Sequence, residues 1–130
     1  MNAERIHLTE AEWRVMECLW ERSPQTGREI TQEMEERVGW SRSTALTMLS
    51  RLTAKGVVAA GSEDGKKMFY AILGREDAAL QEAEGFLSRV YHGSVSMMVS
   101  ALTKKQKLSQ EEIRRLYAML EELEGGGQDG

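Results

Sequence analysis

Apolar side chains recur at three- and four-residue steps in the first third of the chain and predict two short helices. The first stripe consists of Trp13, Met16, Leu19 and Trp20. It follows a capping box, Thr9 to Glu12, and we expect it to end near Arg22, because Pro24 offers a helix no backbone donor. The second stripe consists of Ile30, Met34 and Val38. A second capping box, Thr26 to Glu29, starts this helix near Gly27, and Gly39 ends it after about Arg37.

A third helix is predicted from its N-cap, Ser41, to about Lys55, with Gly56 just past its end. Its apolar side carries Ala45, Leu49 and Leu52, flanked by Met48. The opposite side carries Ser43, Thr44, Thr47, Ser50, Arg51 and Ala54. Apart from the arginine these side chains are short, so the helix backbone could closely approach another surface.

The next segment alternates between apolar and turn-forming residues and predicts a β-hairpin. Val57–Ala60 is apolar, residues 61–65 are rich in turn formers, and residues 66–72 are again largely apolar. Asp64-Gly65 is the tightest turn signal. Three helices followed by a hairpin within about 70 residues is the order of a winged helix-turn-helix domain.

The pattern after Gly74 predicts a helical arm. Glu76–Tyr91 carries an apolar stripe, an apolar segment covers residues 95–102, and a third capping box, Ser109 to Glu112, opens a last helix. About 50 residues of short amphipathic helices bury too little surface to be stable alone. We therefore expect the arm to pack against a second copy of the chain, the alternative being that it folds back on its own chain. The expected dimerisation residues are Phe86, Leu87, Val90, Val99, Leu102, Leu116 and Leu120.

The predicted fold class is therefore mainly α with a small β-hairpin, a winged helix-turn-helix domain followed by a helical dimerisation arm. We place the first domain at residues 1–73 and the arm at 74–124. The glycine-rich end, residues 125–130, is expected to be a disordered tail.

The distribution of charge suggests what the third helix contacts. The chain has a formal net charge of -4, yet the stretch from Arg37 to Ser62 contains four basic side chains and no acidic one. The basic residues in that stretch are Arg37, Arg42, Arg51 and Lys55, and Lys66 and Lys67 follow closely. A local cluster of cations outweighs the overall charge and favours a helix that enters a DNA groove.

The candidate DNA-binding residues divide into two roles. Cations at the edge of a docking face hold phosphates, and hydroxyls or threonine methyl groups can read base edges in the major groove. The predicted phosphate contacts are Arg42, Arg51, Lys55, Lys66 and Lys67. The predicted base contacts are Ser43, Thr44 and Thr47. Trp40 is expected to pack beneath the start of the helix, the alternative being a contact with the DNA backbone.

Other kinds of chemistry find little support in the sequence. His7 and His92 lie apart, no Cys/His cluster has metal-ligand spacing, and no glycine-rich loop suits a phosphate. An enzyme is therefore not expected, and neither a metal nor another cofactor is. Cys18 is the single cysteine and is expected to be a small core residue. No apolar run approaches the length that a bilayer needs, so we expect a cytoplasmic protein without membrane insertion.

Several motifs together resemble the penicillinase-repressor family of bacteria, which includes the β-lactamase, methicillin-resistance and copper-operon repressors. They are Ala11-Glu-Trp-Arg-Val-Met-Glu-Cys-Leu-Trp20, Trp40-Ser41, Thr44, Thr47, Leu49-Ser-Arg-Leu52, Lys55-Gly56, Val90-Tyr91 and Gly93. The resemblance covers about Leu8 to Leu123. It implies a winged-helix homodimer that represses transcription by binding a palindromic operator in double-stranded DNA.

The resemblance also implies a route to derepression. In the best-known branch a membrane-bound sensor protease responds to a β-lactam, and the repressor is then cut in its dimerisation arm. The bond between Ala101 and Leu102 is the corresponding candidate cleavage site. Staphylococcal-type members carry asparagine before that bond, where this chain has Ala101. They also carry basic residues where this chain has Ser43 and Leu46, so we expect a different operator or fewer base contacts. The cysteine-rich metal site of the copper branch has no counterpart after Cys18.

Two alternative functions follow from the same sequence. The acidic net charge is compatible with a winged-helix module that binds proteins and no longer binds DNA. A redox- or metal-responsive regulator is the other alternative, and Cys18 is the residue on which it would depend.

Overall fold

The computed structural model describes residues 6–127, which fall into two compact units that divide between Ala83 and Glu84. The first unit contains, in chain order, α1 (Glu10–Glu21), β1 (Gln25–Thr26), α2 (Gly27–Val38), α3 (Arg42–Lys55), β2 (Val58–Glu63), β3 (Lys66–Ala71) and the first half of α4 (Arg75–Tyr91). The second contains the rest of α4, α5 (Val95–Lys104) and α6 (Gln110–Gly127). The predicted mainly helical fold with a winged helix-turn-helix is confirmed.

The first two helices start at the capping boxes predicted for them. The Thr9 hydroxyl accepts the Glu12 N–H at 3.1 Å, and the Glu12 carboxylate accepts the Thr9 N–H at 2.8 Å. Thr26 and Glu29 repeat this arrangement at 3.1 and 2.9 Å. Each box satisfies backbone donors that an open helix end would leave without a partner. The starting points of α1 and α2 are thus set by local sequence.

A tight turn connects α2 to α3. Gly39 adopts a left-handed conformation, with φ of 73°, which turns the chain at low steric cost, and Ser41 then caps α3. Gly56 ends α3 in the same way, with φ of 82°. These two glycines determine where the third helix lies along the chain.

The sheet has three antiparallel strands in the order β1-β3-β2. β2 and β3 form the predicted hairpin, and its two turn residues, Asp64 and Gly65, have φ of 54° and 78°. A two-residue turn with positive φ at both positions is the kind that Asp-Gly favours. β1 is a difference from the sequence analysis, which placed only a chain break before α2. Gln25 pairs with Phe69 there.

The hydrophobic core lies within the first unit. Its fully buried apolar side chains are Leu8, Val15, Met16, Cys18, Leu19, Ile30, Met34, Ala45, Leu49, Leu52, Val57, Val58 and Ala78. Ala78 belongs to α4, and the Ile6 N–H donates to Gln81 Oε1 at 3.2 Å. The first turns of α4 are therefore part of the first unit, and the division falls inside that helix instead of before Gly74.

The second unit has no fully buried side chain from Glu84 to Gly126. Its exposed large apolar side chains are Phe86, Val90, Val95, Met97, Tyr117, Met119, Leu120 and Leu123. α6 continues through Gly127, into the segment that the sequence predicts to be a tail, while residues 128–130 lie outside the described part. Within residues 6–127, no helix is long and apolar enough to cross a membrane.

Candidate nucleic-acid interface

The solvent-facing side of α3 is lined with short side chains. Ala45, Leu49 and Leu52 are buried in the core. At 3.6 residues per turn, the side of the helix opposite them carries Ser43, Thr47, Ser50 and Ala54, and all four are exposed. This side of α3 could therefore lie deep in a groove without a steric clash. We call Ser43, Thr44, Thr47, Ser50 and Ala54 the recognition face.

Two arginines lie on either side of the recognition face. Arg42 and Arg51 are nine positions apart, which places them roughly 180° apart around the helix axis. α3 contains no acidic residue, and neither guanidinium is in an ion pair with an acidic side chain from residues 6–127. Both guanidinium groups are exposed.

The N-terminal end of α3 adds to this positive potential. The Ser41 hydroxyl accepts the Thr44 N–H at 3.2 Å and donates to Thr44 Oγ1 at 3.0 Å, which fixes the side chain of Thr44. The first turns of α1 and α2 contain glutamates, whereas the first turn of α3 contains no acid. The helix dipole at this end is therefore not offset by a carboxylate of its own turn.

Two of the predicted cations have internal partners. Arg37 pairs with Glu21 and with Glu33, its Nε lying 2.7 Å from Glu33 Oε2. Lys55 Nζ donates to Glu12 Oε1 at 2.6 Å and to the His7 carbonyl at 2.7 Å. Glu12 therefore offsets the charge of Lys55, which argues against the predicted contact of Lys55 with a phosphate.

Glu12 is charged although its side chain is 1% exposed. Burial acts to raise the pKa of its carboxyl, but hydrogen bonds from Lys55 and from the Thr9 N–H outweigh burial and lower the pKa. The carboxylate and the ammonium thus form a stable pair between the start of α1 and the end of α3.

The hairpin carries the other predicted phosphate contacts. Lys66 and Lys67 are exposed at the start of β3. Glu63 lies directly opposite Lys66 in the strand register, and Asp64 follows in the turn. Two acids therefore accompany two lysines at the tip, which weakens the field there relative to the side of α3. Lys67 Nζ also lies 5.4 Å from the centroid of the Phe69 ring.

Arg28 is a cation that the sequence analysis missed. It lies in the first turn of α2, is exposed, and shares with Arg42 a groove of about 200 Å³ between α2 and α3. The first helix of a helix-turn-helix crosses the DNA backbone. A basic residue near the start of that helix was the available signal, but it lies outside the acid-free stretch on which the prediction was based.

Two other residues occupy the places expected for them. Trp40 is half-buried and packs against the core, which confirms the packing interpretation. Cys18 is 2% exposed, and burial raises the pKa of its thiol. A buried thiol with a raised pKa forms little thiolate, so this geometry disfavours a redox sensor. Within residues 6–127, no group of three or more His, Cys, Asp and Glu side chains could hold a metal ion.

A helix-turn-helix followed by a β-hairpin wing places the chain in the class of winged-helix proteins. The penicillinase repressor family matches residues 8–122. The chain belongs to the penicillinase repressor family, on the side of the β-lactamase and methicillin-resistance repressors. Members of this family are transcriptional repressors and not enzymes.

Individual relatives match over nearly the whole chain. The methicillin resistance regulatory protein MecI of Staphylococcus aureus (strain N315) is 27% identical over 120 residues, which cover 92% of this chain and 98% of MecI. The penicillinase repressor of Bacillus licheniformis is 32% identical over 115 residues, covering 88% and 90% of the two chains.

Two solution structures match 57% of the chain. The DNA-binding domain of the repressor BlaI aligns with a TM-score of 0.51 at 27% identity, covering 57% of this chain and 90% of that domain. The monomeric form of Bacillus licheniformis BlaI in complex with the blaP half-operator gives a TM-score of 0.52 with the same identity and coverage.

Proposed function

We propose that this protein is a transcriptional repressor that binds a palindromic operator in double-stranded DNA as a homodimer, in the bacterial cytoplasm. The observation that carries the proposal is the recognition face of α3, which is exposed, free of acids and flanked by Arg42 and Arg51. Membership of a repressor family and the likeness to BlaI, solved on a half-operator, support the same conclusion.

The proposal assigns separate roles to charge and to shape. Arg42 and Arg51 hold phosphates on opposite sides of the groove, and Arg28, Lys66 and Lys67 extend these backbone contacts. The bases are read by Ser43, Thr44 and Thr47, whose hydroxyl and methyl groups are small enough to reach the floor of the major groove. Lys55 is left out of the phosphate contacts because its ammonium is bound to Glu12.

A second copy of the chain is the proposed partner of the second unit. Eight large apolar side chains between Phe86 and Leu123 are exposed, among them Phe86, Val90 and Leu120 from the predicted set, at 43%, 42% and 59%. Leu87, Val99, Leu102 and Leu116, the other members of the set, are half-buried. So much exposed apolar surface on a short helical unit favours association.

Dimerisation is also what makes the small recognition face sufficient. A twofold axis would place two copies of α3 one turn of DNA apart, about 34 Å, on successive half-sites. Linking two weak contacts raises the overall affinity by about 10²- to 10⁴-fold without a new contact.

The test replaces Leu120, which is 59% exposed, with glutamate. A buried charge should separate the dimer, whereas Tyr117→Phe, on the same helix, keeps the apolar contact and serves as the matched control. We expect Leu120→Glu to be monomeric in analytical ultracentrifugation and to bind a two-half-site duplex at least about 100-fold more weakly. A wild-type protein that is monomeric at micromolar concentration, or that binds no duplex at low salt, would refute the proposal. The latter result would favour a protein-interaction module.

Cleavage in the second unit is the proposed route to derepression. Ala101 and Leu102 lie within α5 and are half-buried, so the helix must unwind locally before a protease can bind that bond. Cutting there would separate α6 from the rest of the chain and weaken the dimer. Co-expression with a β-lactam-responsive membrane sensor system, followed by mass spectrometry, should give fragments that end at Ala101. An intact chain under inducing conditions would exclude this route.

A further inference from the structure

An ion pair between exposed Lys55 and buried Glu12 joins the end of the recognition helix to the start of α1. Lys55, the last residue of α3, reaches Glu12 Oε1 at 2.6 Å and the His7 carbonyl at 2.7 Å. The Thr9 N–H donates to the same oxygen, Glu12 Oε1, at 2.8 Å, so this oxygen accepts from both the helix cap and Lys55. The pair spans 43 positions of sequence.

We propose that Glu12 and Lys55 are positioning residues, which hold the C-terminal end of α3 in the orientation that DNA binding requires. We call this pair the clamp. The inference deepens the proposed function, since it concerns how the same recognition face is oriented.

The side chains of the last turn of α3 do not enter the core. Leu52 is the last buried residue of the helix, Thr53 and Ala54 are exposed, and the core resumes beyond the helix at Val57. From this turn Lys55 reaches Glu12 in α1. The clamp therefore adds a polar contact with α1 between the two buried anchors on either side of the turn.

The clamp also connects α3 to the N-terminal segment that contacts α4. His7, whose carbonyl receives Lys55, has its Nδ1 3.8 Å from Glu82 Oε2, and the neighbouring Ile6 N–H donates to Gln81. The end of α3, the start of α1 and the first half of α4 thus meet at one point within the first unit. A change at Lys55 would therefore act where the end of α3 meets these two elements.

Glu12→Gln and Lys55→Met test the clamp. Glutamine keeps an oxygen for the Thr9 N–H, so Glu12→Gln removes the charge and leaves the cap. The probe is a fluorescein-labelled duplex that the protein enriches from a randomised pool, and affinity is measured over a series of salt concentrations. We expect each single variant to bind DNA about tenfold more weakly than the wild type. The double variant should lose no more affinity than whichever single variant binds DNA more weakly, because both changes break the same ion pair.

The salt dependence separates positioning from direct contact. A phosphate contact contributes a slope of about 0.9 to the plot of log affinity against log salt concentration. Because Lys55 is neutralised by Glu12, the slope of Lys55→Met should equal that of the wild type. A slope reduced by about 0.9, or tighter binding by Glu12→Gln through a released Lys55, would overturn the inference.

Two controls distinguish positioning from loss of stability. Thr9→Ala weakens the same helix start, where the Thr9 hydroxyl accepts the Glu12 N–H, but leaves the ion pair in place. We expect it to lower Tm while affinity stays within about twofold of the wild type, and a loss equal to that of Glu12→Gln would count against the clamp. Lys55→Arg should restore binding, because a guanidinium can reach the same carboxylate. If Lys55→Met does not fold, Lys55→Gln takes its place.

Amide hydrogen exchange on the free protein tests the clamp without DNA. In Glu12→Gln, the amides of Lys55, Gly56 and Val57 should exchange about tenfold faster, while those near Ala45 stay unchanged. Unchanged exchange at the end of α3 would refute the clamp even if the wild type binds DNA. Faster exchange in a protein that binds no duplex would refute the proposed function and leave the structural restraint intact.

Discussion

Replacing Arg51 with alanine should remove one phosphate contact and leave the fold unchanged. Arg51 is exposed, and within residues 6–127 its guanidinium is in no ion pair. Its loss should therefore change the free energy of unfolding by no more than about 0.5 kcal/mol. The effect should appear in DNA binding, where one lost phosphate contact reduces the salt slope by about 0.9.

That slope translates into a measurable ratio. Between 50 and 200 mM salt, a slope of 0.9 corresponds to about a 3.5-fold change in affinity, so the variant should lose about 3.5-fold less affinity than the wild type over this range. Fluorescence anisotropy at four or more salt concentrations resolves this difference. The reduction should be similar for duplexes of different sequence, because phosphate contacts carry no sequence information.

Arg14→Ala is the matched control. Arg14 is an exposed arginine on α1, 3.5 Å from Glu10, and lies outside the proposed interface. It should leave both the affinity and the salt slope unchanged. If Arg51→Ala kept the full slope, or if Arg14→Ala lost as much slope, the assignment of phosphate contacts to α3 would be wrong.

Three further predictions follow from the same structure. Thr47→Val should change the preference among operator variants in competition binding, and equal weakening for all sequences would argue against base reading. Cys18→Ser should bind DNA like the wild type, and mild peroxide should leave the wild type active, because burial raises the pKa of the Cys18 thiol; peroxide-sensitive binding that serine abolishes would reverse this conclusion. The pKa of Glu12 is lowered by folding, so the stability it contributes is present above its unfolded pKa and is lost as the pH falls through the folded value. Glu12→Gln should therefore flatten the acid side of the Tm-versus-pH curve, and an unchanged curve would contradict the ion pair.

Features set by local sequence were predictable. The caps at Thr9, Thr26 and Ser41 depend on residues three positions apart, and Asp64-Gly65 needs no partner beyond its own turn. The exposed side of α3 could also be predicted, since helical periodicity alone separates Ala45 from its exposed neighbours. These predictions succeeded because the interactions that enforce them close over a few residues.

Features set by distant contacts were not predictable in the same way. The acid-free stretch suggested that Arg37 and Lys55 are available, but Glu21 and Glu12 reach them from 16 and 43 positions away. A count of charges along the chain does not reveal such pairs. β1 was missed for the same reason, since its two residues become a strand only by pairing with β3.

Internal ion pairs therefore remove Arg37 and Lys55 from the proposed interface. Arg37 and Lys55 form ion pairs within the first unit, while Arg42 and Arg51 remain as proposed phosphate contacts. An acidic chain can in this way present a small positive surface around α3. The net charge of -4 is compatible with groove binding, because acids are absent from α3 and not from the rest of the protein.

Amide chemical-shift mapping shows which part of the protein contacts DNA. A ¹⁵N-labelled protein is titrated with the enriched duplex, and each backbone amide is followed. The largest shifts should fall between Arg42 and Arg51, with smaller ones at Lys66 and Lys67 and little change in the middle of α1. Large shifts confined to other helices, with α3 unaffected at saturating DNA, would refute DNA binding through the recognition face.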